Sequence, residues 1–158
     1  MRIQLTKISN DKHALTLIRA DGSRERVELV TREALFHDML HYAVESSLPT
    51  QAGFWGTLAS GKTMSAMNDR SGESTKENAE TLYMVEGAVG VMTNIVELPL
   101  DEAFAKLRWF SETQGQAPPA WCTEEFVAQV CERMRKLMGE WRATPFGQTM
   151  EIVWNDDD

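Results

Sequence analysis

Two histidines four residues apart, with carboxylates beside them, are the part of this 158-residue chain best suited to chemistry. They lie in Thr31–Leu48, TREALFHDMLHYAVESSL, in the pattern His37-Asp38-x-x-His41-x-x-x-Glu45. On a helix, His37 and His41 stand one turn apart on the same face, so both imidazoles can reach one divalent ion such as zinc, manganese or iron. Asp38 can orient an imidazole or act as a base on a metal-bound water. Glu45 lies about 12 Å along the axis from His37 at ~1.5 Å rise per residue. That distance suits it to a supporting or base role, or to His41 alone. A bound ion would lower the pKa of its water, so metal-assisted hydrolysis is the natural reaction class. Without an ion, the same groups form an acid–base site, and the plainer alternative is a polar helix face that meets water.

The pattern His37-Asp38-x-x-His41 resembles the metal motif of the ubiquinone-biosynthesis coordinating protein family. That resemblance implies a metal site with a Glu about a dozen residues further on. Here Gly53 holds that position and the nearest Glu is Glu45. The motif is also similar to the zincin His-Glu-x-x-His, with Asp38, one methylene shorter, in place of the Glu. The His37-Asp38 pair alone is similar to the His-Asp phosphohydrolases, whose fold is helical. The only upstream histidine, His13, falls in a stretch that reads as strand.

The elements that position these residues follow from periodicity. In the central helix Leu35, Phe36, Met39, Leu40, Ala43 and Val44 share a broad apolar arc, and His37, Asp38, His41 and Glu45 fall opposite. Thr31 is the expected N-cap, with Glu33 in the first turn where the helix dipole favours negative charge. Ser46-Ser47-Leu48-Pro49 ends the helix, because the residue before proline avoids the α region. Residues 2–30 read as a β-meander with turns at Asn10-Asp11 and Asp21-Gly22, and Val27 and Leu29 pointing inward. QTMEIVW alternates through Met150, Ile152 and Trp154 and reads as a strand returning to the N-terminal sheet.

Between these lies the helical part. Gly56-x-x-x-x-Gly61-Lys62-Thr63 matches the P-loop pattern for nucleotide phosphates. A P-loop follows a buried parallel strand and opens a helix. Residues 49–55 do not read as such a strand, so the expected structure is a short helix around Phe54–Leu58, with Gly53 and Gly56 packing closely over the central helix. Residues 66–76 read as an exposed loop. Ser74-x-x-Glu77 is a capping box that opens a helix to about Val96. That helix is apolar nearly all round and is expected to be buried, with Gly87 and Gly90 admitting a neighbouring backbone. Glu86 on it would be a buried carboxylate in need of a partner, and is the candidate third metal ligand or hydrogen-bond partner for His37 and His41; the alternative is that it reaches an arginine or the surface. Pro99 breaks the chain and Asp101 caps a helix through Phe104, Leu107 and Phe110. Residues 114–120 form a linker with two prolines. Thr123 caps a last helix whose stripe of Phe126, Val130, Met134, Leu137 and Trp141 faces the core, while Arg133, Arg135, Lys136 and Arg142 meet solvent.

Composition bounds the rest. The length suits one domain over 1–158: a β-meander to residue 30, a helical part over 31–142 and a returning strand over 147–155. The expected fold class is α+β, an antiparallel sheet of three N-terminal strands plus a C-terminal strand, packed by about four helices. Hydrophobic content of 42% and charged content of 25% are globular values. A net charge of -8 argues against general binding to nucleic acid or anionic membrane. No apolar signal segment or membrane-spanning run is visible, so the expected location is cytoplasmic, with Cys122 and Cys131 as reduced thiols and Cys131 packed on a helix. Beside the metal or acid–base reading stands a non-enzymatic interaction protein, in which the histidine face is a polar surface or a homo-oligomer contact. In that reading an exposed Trp55 or Trp109 anchors a partner.

Overall fold

The computed structural model of the chain describes residues 1–48, 53–67, 79–114 and 120–154. Strands β1 (Arg2–Lys7), β2 (Lys12–Ile18) and β3 (Arg24–Val30) form the meander, and β4 (Thr149–Val153) returns to it. The sheet is antiparallel throughout, in the order β3-β2-β1-β4. The expected return of the C-terminal strand is therefore seen: Met150 lies beside Leu5 and Ile152 beside Ile3. Met1 and Trp154 close the pairing, each N–H donating to the other's carbonyl at 2.7 and 2.8 Å.

Alternation dictates which face is buried. Met150, Leu5, Leu15 and Val27 are neighbours in one row across the four strands, and Ile152, Ile3 and Leu17 in the next. All belong to or pack against the apolar core. Fully burying one such side chain contributes about 1.5–3 kcal/mol. The outer face carries Arg2, Gln4, Thr6, Thr16, Arg24, Arg26, Glu28 and Glu151, so one side of the sheet meets water. Gly22, at φ +82°, sits in the β2–β3 turn, where its N–H donates to the Arg19 carbonyl.

The helices number six among the described residues, against about four expected: α1 (Thr31–Glu45), α2 (Phe54–Ala59), α3 (Met64–Met67), α4 (Ala79–Thr93), α5 (Leu100–Gln114) and α6 (Glu124–Ala143). The two additional ones are the short α2 and α3; α2 is the helix expected near Phe54–Leu58, and α3 is too short for a periodic signal. α1 is the central helix, contacting β3, α2, α4 and α6. Its N-cap is Val30 and not Thr31, whose hydroxyl instead lies 3.2 Å from Nδ1 of the buried His13. The α6 expectations hold: Thr123 accepts from the Phe126 N–H, the apolar stripe and Cys131 are buried, and the basic residues are exposed. Asp101 lies in the first turn of α5, which begins at Leu100.

α4 departs from its expectation. Val85, Ala88, Val89 and Met92 are buried, but Tyr83, Glu86, Gly87 and Gly90 are exposed. A Cβ at Gly87 or Gly90 would meet nothing within 4 Å, so neither glycine admits a neighbouring backbone. The Ser74–Glu77 box, most of the 66–76 loop and most of the proline linker lie outside the described residues. No helix among the described residues is long and apolar enough to cross a membrane.

Candidate functional site

Only part of the polar arc of α1 is a solvated face. His41 and Glu45 are buried, at 3% and 1% exposure, because α2 and α4 cover that side of the helix. Burying a carboxylate is tolerable only if its oxygens are satisfied. Glu45 Oε1 accepts from the Phe54 N–H at 3.0 Å, and Oε2 accepts from the Trp55 N–H at 2.9 Å. These are amides of the first turn of α2, which have no partner within their own helix. Oε1 also lies 3.1 Å from His41 Nδ1. Glu45 thus ties α2 to α1 and holds one imidazole.

Gly53 explains how the carboxylate reaches that place. A Cβ there would sit 2.3 Å from Cδ and Oε2 of Glu45. The Gly53 backbone is extended, at φ -77°, so glycine serves here for space and not for conformation. The close packing expected of Gly53 over the central helix is observed, and its contact is the Glu45 side chain. Trp55 adds a second tie: it is buried, and its indole N–H donates to the Asp38 carbonyl at 3.1 Å. Trp55 therefore cannot be an exposed anchor for a partner, whereas Trp109 is 58% exposed.

The other ring nitrogen of His41 faces outward. His41 Nε2 lies 3.6 Å from Oε1 of Glu86, whose side chain is 59% exposed. Glu86 is a surface residue, the alternative weighed for it, and it still lies beside His41. His37 is exposed, and its ring stands edge-on to His41 with centroids 4.6 Å apart. Partial burial and the neighbouring His41 hold His37 below the usual histidine value, and Glu86 opposes this. Phe54 lies 5.6 Å from the His41 ring on another side.

Asp38 is half-buried and makes no side-chain hydrogen bond among the described residues. Burial pushes its pKa up to about 6, and His41 pulls weakly the other way. A carboxyl that titrates near neutrality is poised for proton transfer. The structure therefore brings His37, His41, Glu45 and Glu86 into one chain of contacts and sets Asp38 at its margin. Among the described residues, no three His, Cys, Asp or Glu side chains stand together as a metal-binding group.

What the sequence did not reveal is the role of the Phe54 and Trp55 amides. Backbone donors carry no residue signature, and only a glycine eight positions beyond a buried carboxylate hints at the approach.

The P-loop-like stretch takes a different form. Gly56 lies within α2, and no strand among the described residues leads directly into it. The amides of Ser60, Gly61 and Lys62 donate to carbonyls of Gly56, Leu58 and Thr57. Arg19 braces the segment, with Nε donating to the Leu58 carbonyl at 2.8 Å and Nη2 to the Lys62 carbonyl at 2.8 Å. Amides committed in this way do not ring a phosphate. Both cysteines are free thiols whose burial pushes their pKa values upward, away from nucleophilic reactivity.

Compared with known proteins, the chain matches no family model, no curated protein and no solved structure.

Proposed function

We propose that the junction of α1, α2 and α4 is an acid–base site that works through His41 Nε2, and that its reaction class is hydrolysis. The observation that carries this reading is the Nδ1 contact with a buried, amide-anchored Glu45. A carboxylate held by two N–H donors calls for a third donor from the imidazole. It therefore fixes the proton on Nδ1 and leaves the Nε2 lone pair facing outward. That is the arrangement by which a carboxylate orients a histidine to take a proton from water or a hydroxyl. Glu86 beside Nε2 would favour the imidazolium formed in that step. Asp38 supplies a second group that titrates near neutrality.

A second reading is favoured by the 4.6 Å ring contact and by the exposure of two of the groups concerned. His37 and Glu86 are surface side chains with freedom to move, and a divalent ion on His41 Nε2 would draw both inward. Two imidazoles and a carboxylate are a donor set that suits zinc. Glu45 would then orient the ligating His41 from behind.

Nitrogen-detected NMR of the imidazoles tests both readings. An Nδ1–H proton on His41 is expected, and the opposite tautomer would remove the basis for the site. Added zinc or manganese should shift His37 and His41 together if the second reading holds. Hydrolysis of activated carboxyl and phosphoryl esters should be lost in His41→Gln, whose side-chain amide can still donate to Glu45 but cannot exchange a proton near neutral pH. Equal turnover in wild type and His41→Gln would exclude the acid–base role.

A further inference from the structure

The two edges of the sheet are treated differently. On β4, the Trp154–Met1 pair faces β1, so Thr149, Glu151 and Val153 turn their backbone groups outward. Tyr42 reaches around this edge and donates its hydroxyl to the Val153 carbonyl at 2.9 Å. A two-fold pairing about Glu151 would also set two like charges face to face. This edge is both capped and self-repelling.

β3 is neither. The Arg19 amide bonds the Ser23 carbonyl and the Thr31 amide bonds the Asp11 carbonyl, which fixes the phase of the β2–β3 ladder. Glu25, Val27 and Leu29 direct their backbone groups to β2, and Arg24, Arg26, Glu28 and Val30 direct theirs outward. Those outward groups make no hydrogen bond to another strand among the described residues, apart from the Val30 carbonyl, which belongs to the cap of α1. The strand has seven residues and no proline. All four outward residues are exposed, including the apolar Val30 at 42%.

Only one register on this edge forms opposite-charge pairs with no like charges opposed. Antiparallel pairing with an identical strand must match outward residues with outward residues. Centring on Arg26 sets two arginines opposite each other at the axis, beside two Arg24–Glu28 pairs, and centring on Glu28 sets two glutamates there. Centring on Val27 sets Arg26 against Glu28 of the second copy, twice, and Arg24 against Val30, whose methyls the arginine stem can cover. Val27 meets Val27 on the other face. Within one chain Arg26 and Glu28 already lie 3.6 Å apart and half-exposed, so a second copy would complete a four-charge cluster.

We infer that β3 is a homodimerisation edge, at which two copies of this chain join antiparallel about Val27 into one continuous eight-stranded sheet. The contact is isologous, closes on itself and so stops at two copies, in contrast to open edge-to-edge growth. It is independent of the histidine site. An interface of one strand edge is small, so the dimer is expected to be a reversible one.

Sedimentation velocity over a concentration series of the full chain tests this, with Arg26→Glu, Glu28→Arg and the double exchange. Neither side chain has another ion-pair partner among the described residues, so each variant should fold, which far-ultraviolet circular dichroism checks. Each single variant places like charges opposite at both symmetric positions and should weaken the dimer on the order of tenfold. The double exchange should restore it, and the two single variants should associate with each other when mixed. A wild type that stays monomeric at its highest soluble concentration would overturn the proposal. So would dimerisation that the single variants leave unchanged, or a mixture of the two that fails to associate.

Discussion

Replacing Glu45 by Gln puts the organising contact of the candidate site to a quantitative test. Three donors converge on the two oxygens of Glu45: the Phe54 and Trp55 amides and His41 Nδ1. A Gln side chain offers one oxygen and one amino group, so at least one buried N–H must face another donor. Leaving a buried donor unpaired costs about 1–3 kcal/mol, and the bonds that remain lose their charge assistance. The expected result is a fall of about 2–4 kcal/mol in unfolding free energy, read from the urea midpoint with an unchanged slope. The loss should be local in origin, so amide exchange at Phe54 and Trp55 should rise more than exchange in the β1–β2 ladder. His41 should also lose its preference for the Nδ1–H tautomer. A loss below about 1 kcal/mol, with unaltered exchange at Phe54 and Trp55, would show that Glu45 anchors nothing and would refute the reasoning.

Gly53→Ala should destabilise the chain by about 1–3 kcal/mol, because its Cβ would overlap the Glu45 carboxyl. The same change should cost far less in a Glu45→Ala background, and equal costs in both would place the conflict elsewhere. Asp38→Asn should stabilise the protein above pH 6 by at most about 3 kcal/mol, from a folded pKa of about 6 against an ordinary 3.8. The sign follows from the raised value: between these pH values the folded state holds a proton that the unfolded chain releases, so wild-type stability falls as pH rises. The difference between variant and wild type should therefore vanish below about pH 3.8, and a difference independent of pH would contradict it. His13 is buried with Nε2 unpartnered, and burial lowers its pKa. The folded state refuses a proton that the unfolded chain takes up below about 6.5, so His13→Leu should lessen the loss of stability on acidification through that range.

Much of the fold is legible in the chain because its signals are local. Alternation through Ile3, Leu5, Leu15 and Leu17 with a turn at Asp21-Gly22 specifies the hairpins, and the same alternation at Met150 and Ile152 marks a half-buried strand seeking an edge. The α6 stripe and its Thr123 cap need only helical spacing and one hydroxyl. The site was legible in its residue types and in the pairing of His37 with His41. Its burial was not. The exposure of Glu86 was open as one of two readings, since the apolar residues around α4 gave no sign of which side would face water.

The sequence by itself determined the strands, the central helix, the last helix and the histidine spacing, because each depends on neighbours a few residues apart. Only the tertiary structure decided that His41 and Glu45 would leave water. A polar arc on a helix goes to solvent unless another element both covers it and supplies hydrogen bonds. Here α4 supplies the cover from far along the chain, and the first amides of α2 satisfy the carboxylate. Gly53 leaves room for that meeting, and no periodicity records it.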